Sequence, residues 1–171
     1  MPEIVAVLDT GVFCCWMDIP GKSTAGPEND RWTPNRARTE IDRIVNRGGT
    51  LVLPTSTIVE AANFVAQSAH SKRIKAERLL DRVLAASSGT IPWREFRDFD
   101  RIWNTDWYVA ARAIWPDYAA RGVGLADYSV LTISKYFHDL GSEVYTLTTD
   151  QAIFAEVGHL PAKNRSARRR R

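Results

Sequence analysis

Cysteine and histidine are both scarce in this chain, and each scarcity excludes a class of chemistry. The two cysteines, Cys14 and Cys15, are adjacent. Neighbours cannot staple distant segments, so a disulfide framework is excluded and a reducing compartment is expected. Both are expected to be small packing residues near the first strand. The three histidines, His70, His138 and His159, are scattered, and with no Cys or His at ligand spacing a zinc site has no support. Any metal bound here is expected to be a hard ion that prefers oxygen. Long apolar runs are missing as well. None approaches the roughly 18–20 residues that a membrane span requires, and no cationic region precedes the short apolar run near the N-terminus. These absences predict a soluble, cytoplasmic protein.

Enough apolar material is present for a core: 171 residues, 44% hydrophobic and 25% charged, fit one soluble globular domain. No internal repeat, low-complexity block or linker divides it. The net charge of +3 is unevenly placed. Lys163, Arg165 and Arg168 to Arg171 supply six cations and no acid, leaving residues 1–162 with 17 cations against 20 acids, a net of −3. Residues 161–171 are therefore expected to be a disordered basic tail, which either binds phosphates through counterion release or is simply a solvated end.

Ile4 to Leu8 is a continuous apolar run, the pattern of a strand covered on both faces, and Asp9 follows it directly. Pro20, Gly21, Gly26, Pro27 and Pro34 make 18–34 a long loop. Arg36 to Arg47 has helical spacing through Ile41, Ile44 and Val45 and ends at Gly48 and Gly49. Thr50 to Leu53 is the second strand. Helices follow from Thr57 onward and over Ser71 to Ala86, and Gly89 to Pro92 is a candidate short strand. Beyond it Trp93, Phe96, Phe99, Trp103, Trp107, Tyr108, Trp115 and Tyr118 recur mostly three or four apart, which predicts helical stripes. Asp127 opens a helix to about Leu140, Gly141 stops it, and Val144 to Leu147 is the last clear strand. Strands alternating with helices predict an α/β fold with a central parallel sheet flanked by helices.

Four acids stand where strands end or helices begin: Asp9, Glu60, Asp127 and Asp150. In an open parallel sheet such positions face a common crevice. Carboxylates crowded there repel one another unless a cation offsets their charge. Mg²⁺ or Mn²⁺ suits such ligands and leaves positions for phosphate oxygens, which points to hydrolysis of phosphodiesters. The alternative is structural. Thr57 and Glu60 fit a capping box, and Asp127 and Asp150 fit helix N-caps or first-turn acids. Asp9, in an apolar context, is the poorest cap of the four. Two rival carboxylate folds fail on the residues: a haloacid dehalogenase needs a second acid two positions after Asp9, where Gly11 stands, and a receiver domain needs an acidic pair of which Glu3 is the sole candidate.

VLDTGVF at 7–13, IVEAANFV at 58–65, GVGLADYSVLTIS at 122–134 and VYTLTTDQAIF at 144–154 resemble, in order, the signatures of PIN domain nucleases. The resemblance implies a single PIN domain over 1–160, with Asp9, Glu60, Asp127 and Asp150 as metal-binding catalytic acids and Thr149 as a supporting hydroxyl. In size the chain is similar to VapC-type toxins. That likeness implies an endoribonuclease of a type II toxin-antitoxin pair, with an antitoxin partner and a homodimer. A catalytically silent PIN-like module that binds RNA or protein, and a PIN nuclease acting in RNA maturation or on single-stranded DNA, are the alternatives.

Two further features have double readings. Trp93, Phe96, Trp103 and Trp107 form either core or a groove for an antitoxin helix or unpaired bases. Arg36, Arg38, Arg43, Arg47 and the cations from Lys72 to Arg82 are either solvated helix faces or a route for a phosphate backbone. The 18–34 loop, near Asp9, is a candidate flap over a scissile phosphate.

Overall fold

The computed structural model describes residues 1–97 and 100–163; the Arg-rich end from residue 164 and Phe99 lie outside the described residues. Strand β1 (Ile4–Leu8) lies between β2 (Thr50–Val52) and β3 (Glu143–Leu147), and β4 (His159–Leu160) closes the far edge, giving the order β2-β1-β3-β4. Seven α-helices accompany the strands among the described residues: α1 (Thr10–Met17), α2 (Pro34–Val45), α3 (Thr55–Gln67), α4 (Lys72–Ser87), α5 (Thr105–Ala119), α6 (Leu125–Asp139) and α7 (Gln151–Val157).

The continuous apolar run of β1 is explained by its central place. Its alternate side chains enter two different cores, as the pleat dictates. Ala6 and Leu8 pack with Phe13, Ile41, Ile44 and Val65 from α1–α3, whereas Val5 and Val7 pack with Ala111, Ile133, Phe137 and Ile153 from α5–α7. The result is a sheet sandwiched between two helical layers. β1 pairs in parallel with β2 on one side and β3 on the other. The chain leaves β1 toward β2 and leaves β3 toward β4, so the crevice beyond the carboxyl ends of β1 and β3 is a switch point of the topology.

Several expectations are corrected. The sheet is mostly, not wholly, parallel: β4 pairs antiparallel to β3 through Val144 with Leu160 and Tyr145 with His159. Only Gly158 separates α7 from β4, so the chain has no room to reverse and simply runs back down the edge of β3. The 89–92 strand is absent; Leu51 instead forms an isolated parallel bridge with Trp93, its N–H donating to Pro92 O at 2.8 Å. The aromatic run is not one helical stripe. Trp93, Phe96 and Trp103 precede α5, and Trp93 packs against Trp16 in one core while Phe96 packs against Phe137 in the other. The four aromatics therefore do not share a groove. Trp93 and Trp107 are core, as one of the two readings had it.

Helix α1 adds to what the residues announced. Apolar on all sides, it is buried almost throughout. Lys75 reaches its C-terminal end, where Nζ donates to Met17 O at 2.9 Å. Helix α2 starts two residues early because Pro34 occupies its first turn and the Thr33 hydroxyl accepts from Arg36 N at 3.2 Å. Helix α3 likewise begins at Thr55, after Pro54, which removes the expected capping box at Thr57 and Glu60.

Candidate metal centre

The sheet delivers Asp9 and Asp150 to the switch point directly, on the turns that follow β1 and β3. Glu60 comes from the second turn of α3 and Asp127 from the first turn of α6. Two hydroxyl contacts set these helices. Thr57 Oγ1 donates to Leu8 O at 2.9 Å, tying α3 to the end of β1, and Ser56 Oγ lies 2.9 Å from Ser129 Oγ, tying α3 to α6. All four carboxylates line one cleft of about 530 Å³, together with Thr10, Gly11, Cys14, Lys22, Thr24, Phe64 and Thr149.

Each acid has a local partner, and the partners are not cations. Asp9 N-caps α1, with Oδ1 accepting from Thr10 N at 2.7 Å, contrary to the expectation that it caps poorly; Oδ2 accepts from Thr148 Oγ1 at 2.6 Å. Glu60 Oε2 accepts from Thr10 Oγ1 at 2.6 Å. Asp127, third residue of α6 rather than its opening one, accepts at Oδ2 from Gly124 N at 3.1 Å. Asp150 caps α7, Oδ1 accepting from Ala152 N at 2.7 Å and Ile153 N at 3.0 Å. Asp9, Asp127 and Asp150 thus bond helix N-termini while lining the shared cleft, and Glu60, with no capping box, bonds Thr10 instead. No ion pair involves any of the four among the described residues.

Electrostatics separates Asp9 from the rest. It is 4% exposed, and burial raises its pKa to about 7, with the charges of Asp127 and Glu60 adding to the rise; the hydrogen bonds from Thr148 and Thr10 oppose it without prevailing. Asp127 is also raised, first by burial and then by Glu60 and Asp150, against the Gly124 N–H. Cys14 is no thiolate ligand: burial pushes its thiol up to about 12. Among the described residues Lys22 is the one cation lining the cleft, its Nζ 4.3 Å from the centre of the Phe64 ring.

Among the described residues four carboxylates face one ammonium across this cleft, and the buried one, Asp9, is raised first by burial and then by the charges of Asp127 and Glu60; groups of this chemistry offer hard oxygen atoms only. Among the described residues no group of three or more His, Cys, Asp or Glu side chains is assembled to hold a metal ion.

The residues that sequence reasoning missed are hydroxyls and Lys22. Thr149 lines the cleft, but the hydroxyl that reaches Asp9 belongs to Thr148, which also accepts from Asp150 N at 3.0 Å. Thr149 packs instead against Gly11, where a Cβ would meet its Oγ1 at 2.5 Å; glycine there lets the start of α1 approach the turn after β3. The 18–34 loop does reach the site, through Lys22, Thr24 and Ala25. The basic residues of α2 and α4 do not line the cleft. Arg36 pairs with Asp30, Arg43 with Glu40, Arg47, just past α2, with Glu143 and Arg73 with Glu77, as solvated faces would, whereas Lys75 is buried against the end of α1 and Arg82 lies over the Trp16 ring. Among the described residues no helix is long and apolar enough to cross a membrane. In comparisons with known proteins, no family model, curated protein or solved structure matches the chain.

Proposed function

We propose that the chain is a PIN-type, metal-dependent endoribonuclease of the cytoplasm, the toxin of a type II toxin-antitoxin pair that acts as a homodimer and is checked by an antitoxin. The observation that carries the nuclease reading is the convergence of Asp9, Glu60, Asp127 and Asp150 from four separate elements onto one cleft, with Asp9 buried and uncompensated. These four would hold Mg²⁺ or Mn²⁺. When bound, such an ion supplies an activated water and offsets phosphate charge. The chain's own groups do the rest. Thr148 and the Thr10 N–H hold the Asp9 carboxylate, Thr10 Oγ1 holds Glu60, and Lys22 offers the rim of the cleft a positive charge for the RNA backbone. The toxin, antitoxin and dimer parts of the proposal rest on the likeness in size and single-domain organisation to VapC-type toxins alone.

A second reading, a PIN-like module that binds RNA or protein without cutting, is favoured by the finding that, among the described residues, no three His, Cys, Asp or Glu side chains are assembled to hold a metal ion. RNA cleavage by the full chain with Mg²⁺ or Mn²⁺, with chelator, and by Asp9→Asn and Asp127→Asn separates the two. Metal-dependent cutting that falls at least about 100-fold in both variants supports the nuclease, a loss of the size seen when one charge-stabilising group is removed. Wild-type rates in the variants would overturn it, and no cutting under any condition would leave the binding module. Single-stranded DNA run alongside RNA tests the substrate.

A further inference from the structure

A second depression opens on the other side of Glu60. It has a volume of about 430 Å³, within the range of ligand pockets, and is lined by Ser56, Val59, Glu60, Trp103, Tyr108 and Ala126, among others. Its character is opposite to that of the carboxylate cleft. Among the described residues Glu60 is its one charged lining residue and no Lys or Arg lines it, so these residues offer a phosphate nothing. It offers flat apolar surface. Tyr108 is 49% and Val59 54% exposed, and the Tyr108 ring stands 5.2 Å from Trp107 and 6.4 Å from Trp103, centre to centre.

Trp103 is held in a state it does not prefer. Its backbone is left-handed at φ 62°, a cost for a bulky residue that clusters at ligand clamps. Its indole Nε1 is, among the described residues, the one buried side-chain polar atom without a hydrogen-bond partner. With the exposed Tyr108 ring on it, this wall suits a flat aromatic ligand better than an aliphatic one. The size matters too: a stable protein partner needs about 800 Å² from each side, whereas this is a single pocket.

We infer that the groove is a subsite for one unpaired nucleobase of the strand whose phosphate enters the carboxylate cleft, stacked on Tyr108 beside Trp103. The inference rests on the nuclease reading for the identity of the strand and extends it to where a base is held. Glu60, shared by both depressions, marks where backbone and base part. Because a paired base has both faces covered, the subsite accepts single strands and rejects duplex.

The test uses the full chain carrying Asp9→Asn, to prevent cutting, and a labelled short single-stranded oligoribonucleotide. Adding Tyr108→Ala weakens binding about 5- to 100-fold, the usual loss for removing a stacking ring. Tyr108→Phe binds like its parent. An abasic residue at one position of the oligonucleotide reproduces the loss, and Tyr108→Ala then adds none. Unchanged binding by Tyr108→Ala, or no sensitive abasic position, while the unmutated chain still cuts RNA with metal, overturns this inference and leaves the nuclease standing. Failure to bind and to cut overturns both. If Tyr108→Ala instead turns a dimer into a monomer in sedimentation with RNA binding intact, the groove belongs to a second copy and the inference falls.

Discussion

Thr148 Oγ1 donates to Asp9 Oδ2 across 2.6 Å, joining the turn after β3 to the turn after β1 at the point where the chain's buried acid sits. The same hydroxyl accepts from Asp150 N, so one side chain ties the Asp9 carboxylate to the backbone of Asp150. Thr148→Val keeps the shape and removes both bonds. It is expected to destabilise the fold by about 1–3 kcal/mol, and to move the acid limb of any cleavage profile to higher pH, since a bond that favours charged Asp9 is gone. Thr148→Ser restores both. Thermal melts and a pH–rate profile check this.

The raised pKa of Asp9 has a thermodynamic sign. Its folded value, about 7, lies above its ordinary value of 3.8, so the folded state binds the proton more tightly. The associated stability is fully present below about pH 4 and is lost as pH rises through 7. Metal-free protein is therefore expected to melt lower at pH 8 than at pH 5. Asp9→Asn, which cannot ionise, gains on the order of 4 kcal/mol relative to the parent at pH 8, less the cost of an altered bond to Thr148. Added Mg²⁺ raises the melting temperature of the unmutated chain more at pH 8 than at pH 5. Melts across pH with and without metal measure all three effects.

Gly11→Ala is expected to impair the site more than the fold. The new Cβ meets Thr149 Oγ1 at 2.5 Å and Cγ2 at 3.1 Å, which pushes the turn after β3 away from α1. A cost of about 1–3 kcal/mol is usual for overpacking. Adding Thr149→Ala removes the closest atoms and recovers most of the loss; a double variant no better than the single one would show that the clash lies elsewhere.

Lys75→Met separates structure from chemistry at the other end of α1. Lys75 is 8% exposed and holds the Met17 carbonyl at the end of the helix. Losing it costs about 1–3 kcal/mol of stability with the metal requirement of RNA cleavage unchanged, as melts and metal titrations of the cleavage rate will show.

Much of this arrangement was legible in the sequence, for identifiable reasons. β1 was visible because a strand buried on both faces has no polar positions, and Asp9 and Asp150 were visible because turns after such strands have one destination. Helix α1 was invisible because TGVFCCWM is apolar on every side and shows no helical period. The aromatic spacing misleads because Trp93, Phe96 and Trp103 lie outside the α-helices, where spacing carries no face. Glu60 resembles a cap only for a helix that starts at Thr57, and α3 starts at Thr55. β4, two residues long, has no pattern to find. Which of Thr148 and Thr149 faces Asp9 depends on the path of one turn, which neighbouring residues of one type cannot reveal.

Titration calorimetry of Mn²⁺ into the full chain at pH 8, beside Asp9→Asn and Asp127→Asn, bears most directly on the idea that the four acids exist to hold a cation. Saturable binding by the unmutated chain that is lost or strongly weakened in both variants is the expected result. Absence of binding, or equal binding by all three proteins, would contradict it.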